Sequence, residues 1–255
     1  MIIAAGDSFV YGNELQDCDP VELPTSKPSK TCYSALLSKP HDYHCVAEPG
    51  FANDSIARTT ITACEKFKNE KLAIIVTWTF TGRYEFNFSF TDQADWQIVN
   101  HWTVNNQFYE RNDNQIENIE FYSNQAKTSN LYNFATNFYK HIGASEYWET
   151  YHSLKEIVFL QSYLKAKNIP FLFTCVDSQF LNNYCYKSND PTLITLRNLI
   201  DFNQWFLFPD NKGFFQWAMD NKYPIGDTHP LEAAHRDAAL LMKDRFYELV
   251  KKHLE

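Results

Sequence analysis

Short apolar runs alternate along this chain with stretches in which apolar residues recur every three or four positions. Met1–Ala5, His44–Ala47, Leu72–Phe80 ("LAIIVTWTF") and Ile169–Val176 ("IPFLFTCV") are the runs. Continuous, β-branched and bounded by turn residues, they predict strands buried on both faces. Between them lies helical spacing. Tyr33–Leu37 reads as part of a helix. After a turn at Pro49-Gly50, the residues Ile56, Thr60, Ala63 and Phe67 share a stripe, with Asn53 or Asp54 as its N-cap. Asn130–His141 and Ser145–Lys167 follow, the second with Tyr147, Tyr151, Leu154, Val158, Gln161 and Leu164 as its inner face. A long helix over Leu231–Leu254 closes the chain, with Leu231, Ala234, Ala238, Leu241, Leu249 and Val250 inward. Strands alternating with helices predict an α/β sandwich around a mostly parallel sheet.

Residues 85–125 break this rhythm. "FNFSF" alternates, and an Asn-Asn turn signal lies between aromatics in "WQIVNHWTVNNQFYERN". The expectation is a β-rich insertion, a hairpin or loop excursion, within a single domain spanning 1–255.

Composition narrows the class without naming a chemistry. The 255 residues are 44% hydrophobic, enough for one sizeable core. A net charge of −8 with no Lys/Arg run argues against nucleic acid as a partner. No stretch approaches the roughly 18 apolar residues of a membrane helix, and no basic segment leads into an apolar one as in a signal peptide, so a cytoplasmic protein is expected. Six scattered cysteines with no C-x-x-C pair predict free thiols rather than a zinc site. Neither a metal nor a cofactor is implied.

The candidate chemistry lies where the strands would end. In open α/β sheets, ligands bind outside the carboxyl ends of the strands. Gly6-Asp7-Ser8 follows the first run, Gly50-Phe51-Ala52-Asn53 the second, and Thr77-Trp78-Thr79 ends the third. "GDTHP" (Gly226–Pro230) precedes the last helix. Ser8 has two readings: a helix cap, or a nucleophile exposed at a strand-to-helix turn whose amides can hold an oxyanion. His229, held extended before Pro230, is the best base. Asp227 lies two residues earlier, and in an extended segment positions i and i+2 point the same way, so Asp227 can orient the imidazole. His235 reads as structural.

These pieces resemble the SGNH hydrolases, the GDSL-like esterases and lipases. "GDSFVYG" looks like that family's first block, with its nucleophile at Ser8. "PGFANDSIAR" looks like the second, whose glycine amide helps form the oxyanion hole, at Gly50. "DTHPLEAAH" looks like the last, with the catalytic histidine at His229. The resemblance implies a flavodoxin-like three-layer α/β/α sandwich and a serine esterase acting on a small acyl ester, such as an O-acetylated carbohydrate, through a Ser8–His229–Asp227 site. An acyltransferase would share the same acyl-enzyme. The alternative is a catalytically weak or inactive binding protein on this scaffold, such as a phage virion or host-interaction component, because "W-T-x-x-x-R-x-E" (Trp78, Thr79, Arg83, Glu85) resembles SGNH-like proteins of large bacteriophages; the location would then be host cytoplasm or virion. Two departures stand out. The family's oxyanion asparagine after the third strand is missing, leaving Asn53, Thr79 and Arg83 as replacement donors. The family's aspartate three residues before the histidine is here Gly226, which displaces the acid to Asp227. Arg83 and Glu85 also admit a bland reading as a mutual i, i+2 pair worth ~0–1 kcal/mol.

Overall fold

A computed structural model describes residues 1–18, 26–87, 96–100, 130–181 and 189–255. Four parallel strands form the central sheet: β1 (Ile2–Ala5), β2 (Tyr43–Cys45), β3 (Ala73–Trp78) and, later in the chain, the strand Phe171–Cys175. Two further strands, β4 (Arg83–Asn87) and β5 (Trp96–Asn100), make a separate antiparallel pair, so the last sheet strand is β6. The sheet order is β2-β1-β3-β6, all parallel, with Ala4 opposite Cys45 and Ile75, and Val76 opposite Phe173.

Side-chain alternation divides the core in two. Ile3, Ala5, Ile74, Val76, Trp78, Phe171 and Phe173 face one layer; Ile2, Ala4, Ala73, Ile75 and Leu172 face the other. The first layer is built by α3 (Asn53–Lys66), α5 (Glu146–Ala166) and α6 (Pro191–Leu199). The second is built by α1 (Ser8–Tyr11), α2 (Tyr33–Ser38), α7 (Phe214–Asp220) and α8 (Glu232–Leu249). The remaining helix, α4 (Asn130–Phe138), continues into a π-helical turn and packs with the β4–β5 pair, where Tyr84, Val99, Ala135 and Tyr139 form a small core of their own. The molecule is thus the expected α/β sandwich with a parallel sheet and helices on both faces. No helix among the described residues is long and apolar enough to cross a membrane.

Several local expectations shift. The inner face of α5 is Thr150, Ser153, Leu154, Ile157, Leu160, Gln161 and Leu164, rotated from the predicted stripe; Tyr147, Tyr151 and Val158 sit at its margin. In α8 the buried set is Ala234, His235, Ala238, Ala239, Met242 and Phe246, and Leu241 is exposed. The N-cap position of α3 is Ala52, which frees the Asn53 side chain for other contacts. Two helices, α6 and α7, have no counterpart in the sequence reading. β4 begins at Arg83, two residues ahead of the expected β-rich segment, and β5 lies within it, while most of that segment, its Asn105-Asn106 turn signal included, lies outside the described residues.

Candidate active site

The site is assembled at the carboxyl edge of the sheet. β1 ends at Ala5, and the chain turns at once into the single-turn helix α1. Gly6 is required by close approach: a Cβ there would lie 2.4 Å from Val10 Cγ2 and 3.2 Å from the Thr77 carbonyl. Asp7 is the N-cap of α1, its Oδ1 accepting from the Phe9 amide at 3.1 Å. Ser8 is thereby the first helical residue, and the cap is Asp7 rather than Ser8. Gly12, at φ +80°, closes α1 in the left-handed conformation and donates its amide to Ser8 O at 2.9 Å. Glu14 follows, also at positive φ, +70°. A non-glycine residue in that region is uncommon and costs about 1–3 kcal/mol. Here the reversal turns Glu14 toward His229.

The buried Ser8 hydroxyl lies 2.7 Å from Nε2 of His229, which is also buried. On the other side of the ring, Nδ1 lies 2.6 Å from Glu14 Oε1 and 2.8 Å from Thr228 Oγ1. Thr228 Oγ1 donates to Glu14 Oε1 at 2.7 Å, and the Thr228 and His229 amides donate to the same carboxylate at 3.1 and 3.3 Å. Burial alone would raise the Glu14 pKa, but the His229 and Thr228 hydrogen bonds outweigh it and bring it down to about 2. An ionised Glu14 can accept a proton from Nδ1, the arrangement that turns the Nε2 lone pair toward Ser8. Phe9 packs on the imidazole with ring centroids 4.7 Å apart.

Asp227 does not take the orienting position. It is exposed, and the carboxylate on His229 is Glu14. The reason is legible at Gly226, where the family pattern would put its aspartate. A Cβ there would stand 2.3 Å from Glu14 Oε2, so the space left by the missing side chain is filled by a carboxylate from the opposite side of the site. The segment carrying His229 is itself a tight turn, with the Gly226 amide donating to His229 O at 2.9 Å and a bridge between Ile225 and Pro230. His235 is buried, and its Nδ1 accepts from the Tyr33 amide at 3.2 Å; burial pushes its pKa down to about 3, so it is a neutral structural group.

The other predicted site residues occupy a second network, just beneath. Asn53 is buried and grips the end of β3: Oδ1 accepts from the Thr79 amide at 2.9 Å, and Nδ2 donates to Ser153 Oγ at 3.0 Å and to Thr79 O at 3.4 Å. Thr79 Oγ1 donates to Asp7 Oδ2 at 2.5 Å. Arg83 Nη1 reaches the same oxygen at 3.0 Å, Thr79 Oγ1 at 3.0 Å and the Phe51 carbonyl at 3.4 Å. Arg83 and Glu85 are not a mutual pair. Glu85 forms a two-pronged ion pair with Arg58, both contacts at 2.6 Å, and Trp96 covers that guanidinium. Gly50 lies at φ +86° with nothing within 4 Å of where a Cβ would be. The Ser8 and Gly50 amides donate to no described residue.

Among the described residues no group of His, Cys, Asp and Glu is arranged to hold a metal ion. Glu14, the carboxylate on His229, is not among the residues that the sequence singles out.

No family model and no curated protein matches the chain. Among solved structures it is similar to a member of the lipolytic G-D-S-L family from Veillonella parvula, at 11% identity and a TM-score of 0.43, over 98% of each chain. It is also similar to a psychrotrophic esterase from Pseudoalteromonas sp., at 12% identity and a TM-score of 0.44, over 99% of this chain and 97% of that one. A third is an acetyl xylan esterase from the rumen bacterium Butyrivibrio proteoclasticus, at 14% identity and a TM-score of 0.43, over 97% of this chain and 63% of that one. With likeness this distant, the chemistry of the site rests on its own geometry.

Proposed function

We propose that the protein is a GDSL-type serine ester hydrolase for small acyl esters, with Ser8 as nucleophile, His229 as general base and then acid, and Glu14 as the group that orients the imidazole. The observation that carries this reading is the chain of contacts from Ser8 Oγ to His229 Nε2, 2.7 Å, and from His229 Nδ1 to Glu14, 2.6 Å. A base must be within hydrogen-bond reach of the proton it removes, and a third group must fix its tautomer. In the reaction, Ser8 Oγ attacks the ester carbonyl while its proton passes to Nε2. The tetrahedral intermediate collapses, and the leaving alkoxide takes the proton back. Water then repeats the sequence on the acyl-enzyme. The Ser8 and Gly50 amides, which donate to no described residue, are the donors for the oxyanion. An O-acetylated carbohydrate is one substrate of this class.

The test is turnover of p-nitrophenyl acetate together with labelling by a fluorophosphonate. Wild type is expected to turn over and to take one label on Ser8, and Ser8→Ala to do neither. A wild type that neither turns over nor labels would favour a binding protein on the same scaffold. A label that persists in Ser8→Ala would remove Ser8 as nucleophile.

A further inference from the structure

We propose that the Arg83 guanidinium is the third oxyanion donor, standing in for the asparagine that the family resemblance leads one to expect after β3. This rests on the serine-hydrolase reading above. The side chains that might have filled the place are committed elsewhere: Asn53 to Thr79 and Ser153, and the Thr79 hydroxyl to Asp7. Arg83 is placed differently. Its Nη1 bonds to Asp7, the residue before Ser8, and to the carbonyl of Phe51, the residue after Gly50. The guanidinium therefore spans the two turns whose Ser8 and Gly50 amides donate to no described residue. It uses only Nη1 for this; Nε and Nη2 donate to no described residue. The Arg83 side chain is 14% exposed while Asp7 is fully buried. Its charge is matched by Asp7, the Phe80 ring lies 5.3 Å from the guanidinium carbon, and Nε and Nη2 are the N–H groups left over for a ligand.

Guanidinium stays protonated at any working pH and offers five N–H donors in a plane, so one edge can hold Asp7 while another meets a developing anion. When Ser8 Oγ bonds to the carbonyl carbon, the C=O π pair moves onto oxygen. That charge then meets the Ser8 amide, the Gly50 amide and an Arg83 N–H. Collapse returns the pair, expels the alkoxide and releases the oxyanion from all three. The donor is charge-assisted, which makes it a stronger partner for the transition state than a neutral amide.

Arg83→Gln separates this role from a structural one. With p-nitrophenyl acetate, kcat is expected to fall about 100- to 1,000-fold, the loss typical of one oxyanion donor, with KM little changed. The affinity of phenylboronic acid, which forms a tetrahedral adduct on the serine, should fall in step with kcat. Added guanidinium chloride, at concentrations well below denaturing, should restore part of the activity of Arg83→Ala and none of Ser8→Ala. Since Arg83→Gln leaves Asp7 buried without its cation and can fail to fold, the double variant Asp7→Asn/Arg83→Gln serves as the second arm. Folded by its thermal melt, it should be as slow as the single variant. A double variant restored to wild-type kcat would show that Arg83 only offsets Asp7, and would overturn the proposal. So would an unchanged kcat in Arg83→Gln, or a loss confined to KM, which would make Arg83 a ground-state binding group. An inert wild type would instead overturn the underlying hydrolase reading.

Discussion

At Ser8 the polar contacts run outward, from Ser8 to His229 to Glu14; at Asp7, one residue earlier, they run inward, to Thr79 and Arg83 and through Thr79 to Asn53. The two networks start from adjacent residues on one turn and are built for different work. The outer one joins three titratable or nucleophilic groups in a line along which a proton can move, and its acid has been brought from a loop only six residues past the nucleophile. The inner one is a clamp: a fully buried carboxylate with two side-chain donors and a backbone amide, and an asparagine holding both backbone groups of Thr79. It fixes the turn that aims Ser8. Losing a member of the outer network should therefore cost rate, and losing a member of the inner one, Arg83 apart, should cost stability first.

The largest expected effect tests the outer network at its head. Ser8→Ala should lower kcat for p-nitrophenyl acetate at least ~10⁴-fold, the order seen when a triad nucleophile is removed, with the thermal melt preserved. Gly226→Ala comes next. Its φ is not positive, so alanine meets no backbone strain, but its Cβ must displace the Glu14 carboxylate, the far end of a flexible side chain. A tenfold or greater drop in kcat is expected, on the order of the ~100-fold that small misplacements of catalytic groups cost, again with little change in melting. Asn53→Ala probes the clamp. Leaving the Thr79 amide and the Ser153 hydroxyl without their partner should destabilise the fold by about 1–3 kcal/mol in a denaturant melt, with the Ser8 label retained at temperatures where the variant is folded. If Asn53→Ala instead lost activity while keeping wild-type stability, the division between the two networks would fail.

The smallest effect concerns a third group, where β4 meets α3. Burial pushes the Asp54 pKa up to about 7, against the backbone hydrogen bonds from Glu85 and Ser55 that lower it; Glu85 and Glu156 add to the rise, and His152 faces it at 3.8 Å. In the unfolded chain this carboxyl titrates near 3.8. Between about pH 4 and 7 the native state therefore holds a proton that the unfolded state has lost, and this group makes stability fall as pH rises. His152 acts oppositely, since burial lowers its pKa to about 4 and the unfolded chain is the one that binds the extra proton. Asp54→Asn removes the first effect and keeps the second. The melting temperature of the variant relative to wild type should climb from pH 4 to pH 7; a difference independent of pH would contradict the assignment.

Much of this architecture was readable from hydrophobic runs. β1, β3 and β6 are buried on both faces and match the predicted runs to within a few residues, whereas the segment before Pro230, expected extended, is a tight turn. The helix α6 was missed despite a clear signal, Asp190 followed by Pro191, a capping residue with proline at the first helical position. The helix α7 has no such signal: its N-cap position supplies no capping side chain, and only Phe214, Trp217 and Ala218 of "FFQWAMD" are buried, a set too short to give a helical stripe. That Glu14 and not Asp227 lies on His229 has a physical cause. Local spacing rewards a carboxylate two residues from the histidine, whereas Glu14 is 215 positions away and reaches it only because the backbone reverses at positive φ, which no propensity for glutamate predicts. One clue was present: a glycine where the family's acid would stand, which is what a site needs if the acid arrives from elsewhere.

The central claim is that Glu14, not Asp227, orients His229. The direct measurement is the rate of Ser8 phosphonylation by a fluorophosphonate, read by intact mass, in Glu14→Gln beside Asp227→Asn. The account predicts a loss of up to ~10⁴-fold for Glu14→Gln, the order found when the orienting carboxylate of a triad becomes an amide, and a near wild-type rate for Asp227→Asn. A Glu14→Gln variant that labels as fast as wild type, or an Asp227→Asn variant that does not label, would contradict it.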